Sequence, residues 1–176
     1  MIITDSYEKR LEMAKMHDDI ILRIDNAIKK KQAIEACWLC YACFESRITR
    51  TIDKLSVCCK ERKCYNNHKV GIVTKIDCLK RLSRQNYGGA NQFENALLGE
   101  VKVWCKERNI LVHDLVSLNN YRGIDKKFLD LAKKGRTILE KLYKQTTNFR
   151  NIYYQLDELP EIPTKVIDKC RLIKKD

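Results

Sequence analysis

The sequence has little glycine and proline and no long apolar run. Only 6 Gly and 2 Pro occur among 176 residues, too few for the many turns of a β-sandwich or barrel. No stretch approaches the roughly 18 consecutive apolar residues that span a bilayer. The N-terminal segment carries acidic residues where a secretion signal needs a basic end and an apolar run. We therefore expect a cytoplasmic protein that does not enter a membrane.

Several enzyme signatures are also missing. The chain contains no glycine-rich phosphate loop, no H-E-x-x-H sequence and no G-x-S-x-G sequence. These absences argue against P-loop nucleotide hydrolysis, zinc-peptidase chemistry of that type and α/β-hydrolase chemistry. We predict no cofactor.

The charge is strongly positive and unevenly spread. Lys and Arg total 35 against 23 Asp and Glu, a net charge of +12, which favours anionic partners. Residues 50–84 alone carry ten basic and three acidic residues. Such a segment suits either a nucleic-acid backbone or a solvated face. The candidate nucleic-acid-binding residues within it are Lys60, Arg62, Lys63, Lys69, Lys80, Arg81 and Arg84.

The nine cysteines are predicted to be reduced thiols, because the chain lacks a secretion signal and their number is odd. Cys37, Cys40 and Cys43 recur every three residues in a helical segment, and we interpret them as small apolar core residues. A second cluster contains enough donors for tetrahedral zinc, but its spacing matches no zinc-knuckle pattern. We predict no metal and keep as weak zinc candidates Cys58, Cys59, Cys64 and His68.

Helical periodicity runs through almost the whole chain. Apolar residues at i, i+3, i+4 and i+7 predict helices over about 5–30, 32–59, 70–82, 93–116 and 125–146, with residues 151–156 as an extension or a further turn. Gly88-Gly89 predicts a loop, and Pro160 and Pro163 end regular structure. We therefore predict an all-α, single-domain, up-and-down bundle of five to six helices over 1–158. A basic tail, 159–176, follows it.

The sharpest local signal is the sequence Arg108-Asn109-Ile-Leu-Val-His113. On a helix, Asn109 and His113 share one face at i and i+4, and the Ile-Leu-Val run is expected to form the core-facing stripe. Arg108 lies about 140° from His113 around an ideal helix. Its side chain must therefore wrap around, or the partner group must come from another chain.

This hexapeptide, late in a basic all-helical chain, resembles the R-x4-6-H motif of HEPN domains, in the form where a polar residue follows the arginine. The segment FESRITRTIDK is similar to an early HEPN helix, which makes Glu45 and Arg47 secondary candidates. The resemblance implies a HEPN-like bundle and a metal-independent endoribonuclease, acting as a homodimer with catalytic Arg108, Asn109 and His113. It also implies a toxin or phage-defence role, with an antitoxin or a nucleotidyltransferase as a partner.

The residue types suit RNA cleavage through the 2′-OH. Histidine, with an ordinary pKa of about 6.5, can act as base and as acid near neutrality, and arginine can hold the phosphorane oxygens. The other histidines, His17 and His68, lie in unrelated segments, so a second copy of the chain would supply the second histidine. A rival interpretation stays open, in which the chain is a non-catalytic HEPN module for dimerisation or RNA binding.

Overall fold

The computed structural model describes residues 7–55, 70–117 and 123–153, and all regular structure in these ranges is helical. The helices are α1 (Tyr7–Lys29), α2 (Ala33–Leu55), α3 (Ile72–Arg84), α4 (Asn95–Val116) and α5 (Ile124–Tyr153). The predicted all-α bundle is confirmed. None of the helices in the described ranges combines the length and apolarity that a membrane span requires.

The helix bounds follow the predicted periodicity closely. Of the two alternatives for residues 151–156, the described residues favour the extension, because α5 continues past Thr146 to Tyr153. Phe149 keeps the apolar spacing through those added turns and is buried. Residues 56–59 of the second predicted helix and the predicted tail, 159–176, lie outside the described residues.

One apolar core joins all five helices, and α2 and α5 contribute the longest stripes to it. Cys37, Cys40 and Cys43 belong to this core, as expected for free thiols that pack as small apolar groups. The predicted inward stripe of α2 is buried at every position: Ala33, Ala36, Cys37, Cys40, Phe44, Ile48, Ile52 and Leu55.

Trp104 of α4 lies at the centre of the core. Its indole N–H donates a hydrogen bond to the Leu131 carbonyl oxygen at 2.8 Å, and its ring meets the Phe44 ring edge-on at 5.1 Å between centroids. The ring also packs against the backbone of Gly135, where a Cβ atom would lie 2.8 Å from two indole atoms. A fully buried indole N–H needs such an acceptor, so these contacts fix the rotation of α4 against α2 and α5.

The predicted loop at Gly88-Gly89 is a short 3₁₀ segment, Tyr87–Gln92, between α3 and α4. Both glycines have positive φ angles, 51° and 80°, which glycine adopts without strain. Gly89 also approaches Ile152, whose Cγ2 atom lies 3.0 Å from the position of a Cβ. The segment therefore turns the chain tightly beneath the end of α5.

Replacing Gly135 with alanine is expected to destabilise the bundle. Alanine is the better helix former by about 1 kcal/mol, but its methyl group collides with the Trp104 indole, and overpacking costs about 1–3 kcal/mol. We expect the free energy of unfolding, measured by urea denaturation, to fall by up to about 2 kcal/mol. Gly99→Ala in α4 is the matched control, because the nearest atom there is the flexible Lys80 Nζ. Equal stability of the two variants would contradict this role for Gly135.

Candidate functional site

The six-residue motif lies in the second half of α4, and its side chains point in different directions. Arg108 continues the inward stripe of Trp104 and is only 9% exposed, whereas Asn109 and His113 are exposed. The expectation that the Ile-Leu-Val run faces the core is wrong, because Ile110 is 60% exposed and the next two residues are half-buried. Three consecutive residues span about 200° of a helix, so they cannot share one face.

The Arg108 guanidinium is held by aromatic rings. Its Cζ atom lies 4.4 Å from the centroid of the Trp38 ring and 4.8 Å from that of Tyr41, both on α2. These are cation–π distances. Nη1 donates a hydrogen bond to the Asn109 Oδ1 at 3.1 Å. Nη2 is sealed from solvent and has no hydrogen-bond partner within the described ranges.

This arginine also has no carboxylate partner within ion-pair distance in the part of the chain that the structure describes. Aromatic faces position a guanidinium while leaving its N–H groups uncommitted, whereas a bidentate carboxylate would occupy them. Arg108 is therefore held in place with donor capacity to spare.

Burial disfavours the reactive thiolate form of the thiols near Arg108. Burial raises the pKa of Cys37 and of Cys105 to about 12, and the nearby charge of Arg108 only partly opposes this effect. A thiol with such a pKa stays protonated at neutral pH. A Cys–His catalytic pair built on Cys105 is thus disfavoured.

Glu45, a secondary candidate, lies on the Arg108 side of α2. Burial raises the pKa of Tyr41, the charge of Glu45 raises it further, and Arg108 opposes both. The Glu45 carboxylate lies 3.5 Å from the Nζ of Lys75, a buried lysine that donates to Thr49 at 3.0 Å. Glu45 therefore already pairs with Lys75 of α3. It lies near Arg108 but forms no ion pair with it.

Arg47, the other secondary candidate, lies elsewhere. It is nine residues after Trp38, which corresponds to about half a turn of net rotation around α2. Its guanidinium lies 4.4 Å from the centroid of the Tyr143 ring on α5, and the His17 ring of α1 stacks on the same tyrosine at 4.1 Å. The fold therefore separates Glu45 from Arg47 and removes Arg47 from the motif.

His17 is held neutral by these neighbours. Burial and the charge of Arg47 lower its pKa to about 4, with a smaller contribution from Arg150, and Asp18 opposes the shift. The Asp18 carboxylate is 3.7 Å from Nδ1, beyond hydrogen-bond range. Both ring nitrogens are buried without a hydrogen-bond partner within the described residues.

The structure describes only part of the basic segment. Among the candidate nucleic-acid-binding residues, Lys80, Arg81 and Arg84 lie on α3, the first two half-buried and Arg84 exposed at the helix end. The other candidates lie outside the described residues: Lys60, Arg62, Lys63 and Lys69.

The zinc candidates also lie outside the described residues: Cys58, Cys59, Cys64 and His68. Within the described ranges, no group of three or more His, Cys, Asp or Glu side chains is arranged to hold a metal ion.

Trp38 and Tyr41 belong to the site, although no sequence pattern predicted them as site residues. Trp38 is 55% exposed, and both residues fall outside the apolar stripe that identifies the buried face of α2. The one signal in the sequence was a large aromatic residue, Trp38, outside the apolar stripe of an amphipathic helix. Its contact with Arg108 of α4 could not be inferred from spacing, because Trp38 and Arg108 are seventy positions apart.

Comparison of the chain with known proteins identifies no relative. No protein-family model matches the chain, and no curated protein or solved structure matches it either.

Stability is expected to depend on pH through His17. Its pKa is about 4 in the folded chain and about 6.5 when unfolded, so between these values the unfolded chain binds more protons. Stability is thus full above about pH 6.5 and is lost as the pH falls towards 4, by about 1–3 kcal/mol. Urea denaturation from pH 7 to pH 4 measures this loss. His17→Phe keeps a ring on Tyr143 and should flatten the profile; an unchanged profile would contradict the assignment.

Proposed function

We propose that the chain is a metal-independent endoribonuclease that cleaves RNA by attack of the RNA's own 2′-OH. The observation that carries the proposal is the Arg108 guanidinium, which two aromatic rings hold in place while its Nη2 stays without a partner among the described residues. Asn109 touches this guanidinium, and His113 is exposed on the same helix. An anchored cation beside an amide and an accessible imidazole suits a scissile phosphate.

The chemistry needs a base, an acid and a positive group. A neutral histidine takes the proton of the 2′-OH, the 2′-oxygen bonds to phosphorus, and a protonated histidine donates its proton to the departing 5′-oxygen. The products are a 2′,3′-cyclic phosphate end and a 5′-OH end. Arg108 stabilises the extra negative charge on the phosphorus oxygens, and Asn109 orients the phosphate.

The proposed active form is a homodimer. His17 of α1 packs against Tyr143 and is not available to the motif, so among the described residues His113 is the histidine that one chain offers there. Trp38, which contacts Arg108, and Ile110, which lies within the motif, are both more than half exposed. Exposed apolar residues at a polar site are typical of an interface. A two-fold contact there supplies a second His113 and a second Arg108.

Replacing His113 with alanine is expected to abolish cleavage without unfolding the chain, because the side chain is exposed. Losing a general acid or base typically costs a factor of about 10²–10⁴. The assay follows end-labelled RNA in EDTA and identifies the 2′,3′-cyclic phosphate ends. Asn91→Ala is the matched control, since Asn91 is an exposed polar residue in the 3₁₀ segment that precedes α4.

Equal activity of the wild type and His113→Ala would refute the catalytic role of the motif. If neither protein cleaves RNA but both bind it, the chain is instead a non-catalytic RNA-binding module. Growth arrest on expression of wild-type protein, absent with His113→Ala, would support the proposed toxin or phage-defence role.

A mixing experiment tests the two-fold site. Unfolding and refolding the wild type with a large excess of His113→Ala places most wild-type chains in mixed dimers, each with one His113. Wild-type activity should then fall in proportion to the share of wild-type chains in mixed dimers, whereas an excess of Asn91→Ala should leave it unchanged. Full activity in the His113→Ala mixture would show that one chain suffices.

A further inference from the structure

A second basic cluster lies across α2 from the Arg108 motif. It consists of His17 on α1, Arg47 on α2, and Tyr143 and Arg150 on α5. The Tyr143 ring contacts both the His17 ring, 4.1 Å away between centroids, and the Arg47 guanidinium, 4.4 Å away. Arg150 is close enough for its charge to lower the pKa of His17 and of Arg47. Two basic side chains, from α1 and α2, thus contact one aromatic ring of α5, and Arg150 lies on the same face of α5 as that ring, seven residues after Tyr143.

Within the described ranges, no carboxylate neutralises the arginines of this basic cluster. Neither Arg47 nor Arg150 forms an ion pair with any described residue. The nearest carboxylate to the His17 ring, that of Asp18, is 81% exposed and lies 3.7 Å from Nδ1. Like charges brought together in a partly buried site repel one another with little screening.

Arg136, another arginine of α5, forms ion pairs with carboxylates. Its guanidinium pairs with Asp25 at 2.8 Å and with Glu140 at 3.7 Å. Arg136 and Arg150 are both half-buried, so their depth in the fold does not explain the difference. The described part of the chain therefore neutralises one arginine of α5 and leaves the other without a partner.

Unmet hydrogen bonds occur in the same place. Both nitrogens of His17 are buried without a partner in the described ranges, and buried polar groups in folded proteins are nearly always satisfied. Arg47 and Arg150 are only half-buried, so a ligand can reach them from solvent. Their planar forks match tetrahedral oxyanions well.

We propose that His17, Arg47, Tyr143 and Arg150 form a binding site for a phosphate group. Arg47 and Arg150 supply the charge and most of the donors, and the Tyr143 ring sets the position of Arg47. His17 contributes an N–H once the ligand displaces the side chains that cover it. The site is separate from the Arg108 motif and does not depend on ribonuclease activity.

The phosphate group can belong to a free anion or to a nucleic-acid backbone, and two probes distinguish these sources. One probe is inorganic phosphate, added at constant ionic strength against chloride and followed through the imidazole NMR signals of His17. The other is a fluorescent 2′-O-methyl RNA oligonucleotide, which lacks the hydroxyl needed for cleavage, followed by anisotropy.

We expect Arg47→Gln and Arg150→Gln to weaken binding of at least one probe by about tenfold or more. Arg136→Gln removes the same charge from α5 and should have little effect. Response to inorganic phosphate identifies a free-anion site, and response to the RNA alone identifies a backbone site. In either case the pKa of His17 should rise on binding, because the ligand offsets Arg47 and Arg150 while Asp18 is unchanged.

The proposal is overturned if the Arg47 and Arg150 variants bind both probes as the wild type does. It is also overturned if Arg136→Gln weakens binding equally, which would indicate a general charge effect. Melting temperatures in phosphate-free buffer separate binding from folding. Arg150→Gln should melt no lower than the wild type, because it relieves repulsion, and a clearly lower value would refute the uncompensated charge.

Discussion

The packing of Trp104 is the constraint on which the candidate site depends. The indole hydrogen bond to Leu131 and the close contact with Gly135 set α4 against α5, and the contact with Phe44 sets it against α2. Arg108 follows Trp104 by four residues, about one helical turn. The packing of Trp104 therefore sets the direction in which Arg108 points. Arg108 contacts the rings of α2 and forms no salt bridge with any described residue.

Aromatic rings hold an arginine on each of the two sides of α2. On one side Trp38 and Tyr41 hold Arg108, and on the other Tyr143 holds Arg47. An aromatic ring attracts a guanidinium without neutralising it, so both arginines keep charge and donors for an anion. Elsewhere in the described part of the bundle, ion pairs such as Arg136–Asp25 and Lys102–Asp77 cross between helices. The contrast makes the two uncompensated arginines functional candidates.

The fold was largely accessible from the sequence because helical periodicity is a local property. Each of the five predicted helices is present, and the apolar spacing along α2 identified buried positions correctly. The hydrophobicity of the Ile-Leu-Val run predicts an inward face that the run does not have, because hydrophobicity alone does not fix the rotation of a helix. The rotation of α4 is instead set by Trp104, whose contacts come from residues far along the chain.

The sequence by itself determined the helices, their apolar faces, the positive charge and the presence of an Arg-Asn-x3-His motif, all of which depend on neighbours within a few turns. Only the tertiary structure decided that Arg108 is buried beside Trp38 and Tyr41, that His113 stays exposed, and that Glu45 and Arg47 serve opposite sides of α2. It alone brought His17, Arg47 and Arg150 together from three helices. These outcomes depend on how the helices rotate and pack. Contacts between residues far apart in the chain set that packing, and local spacing does not encode it.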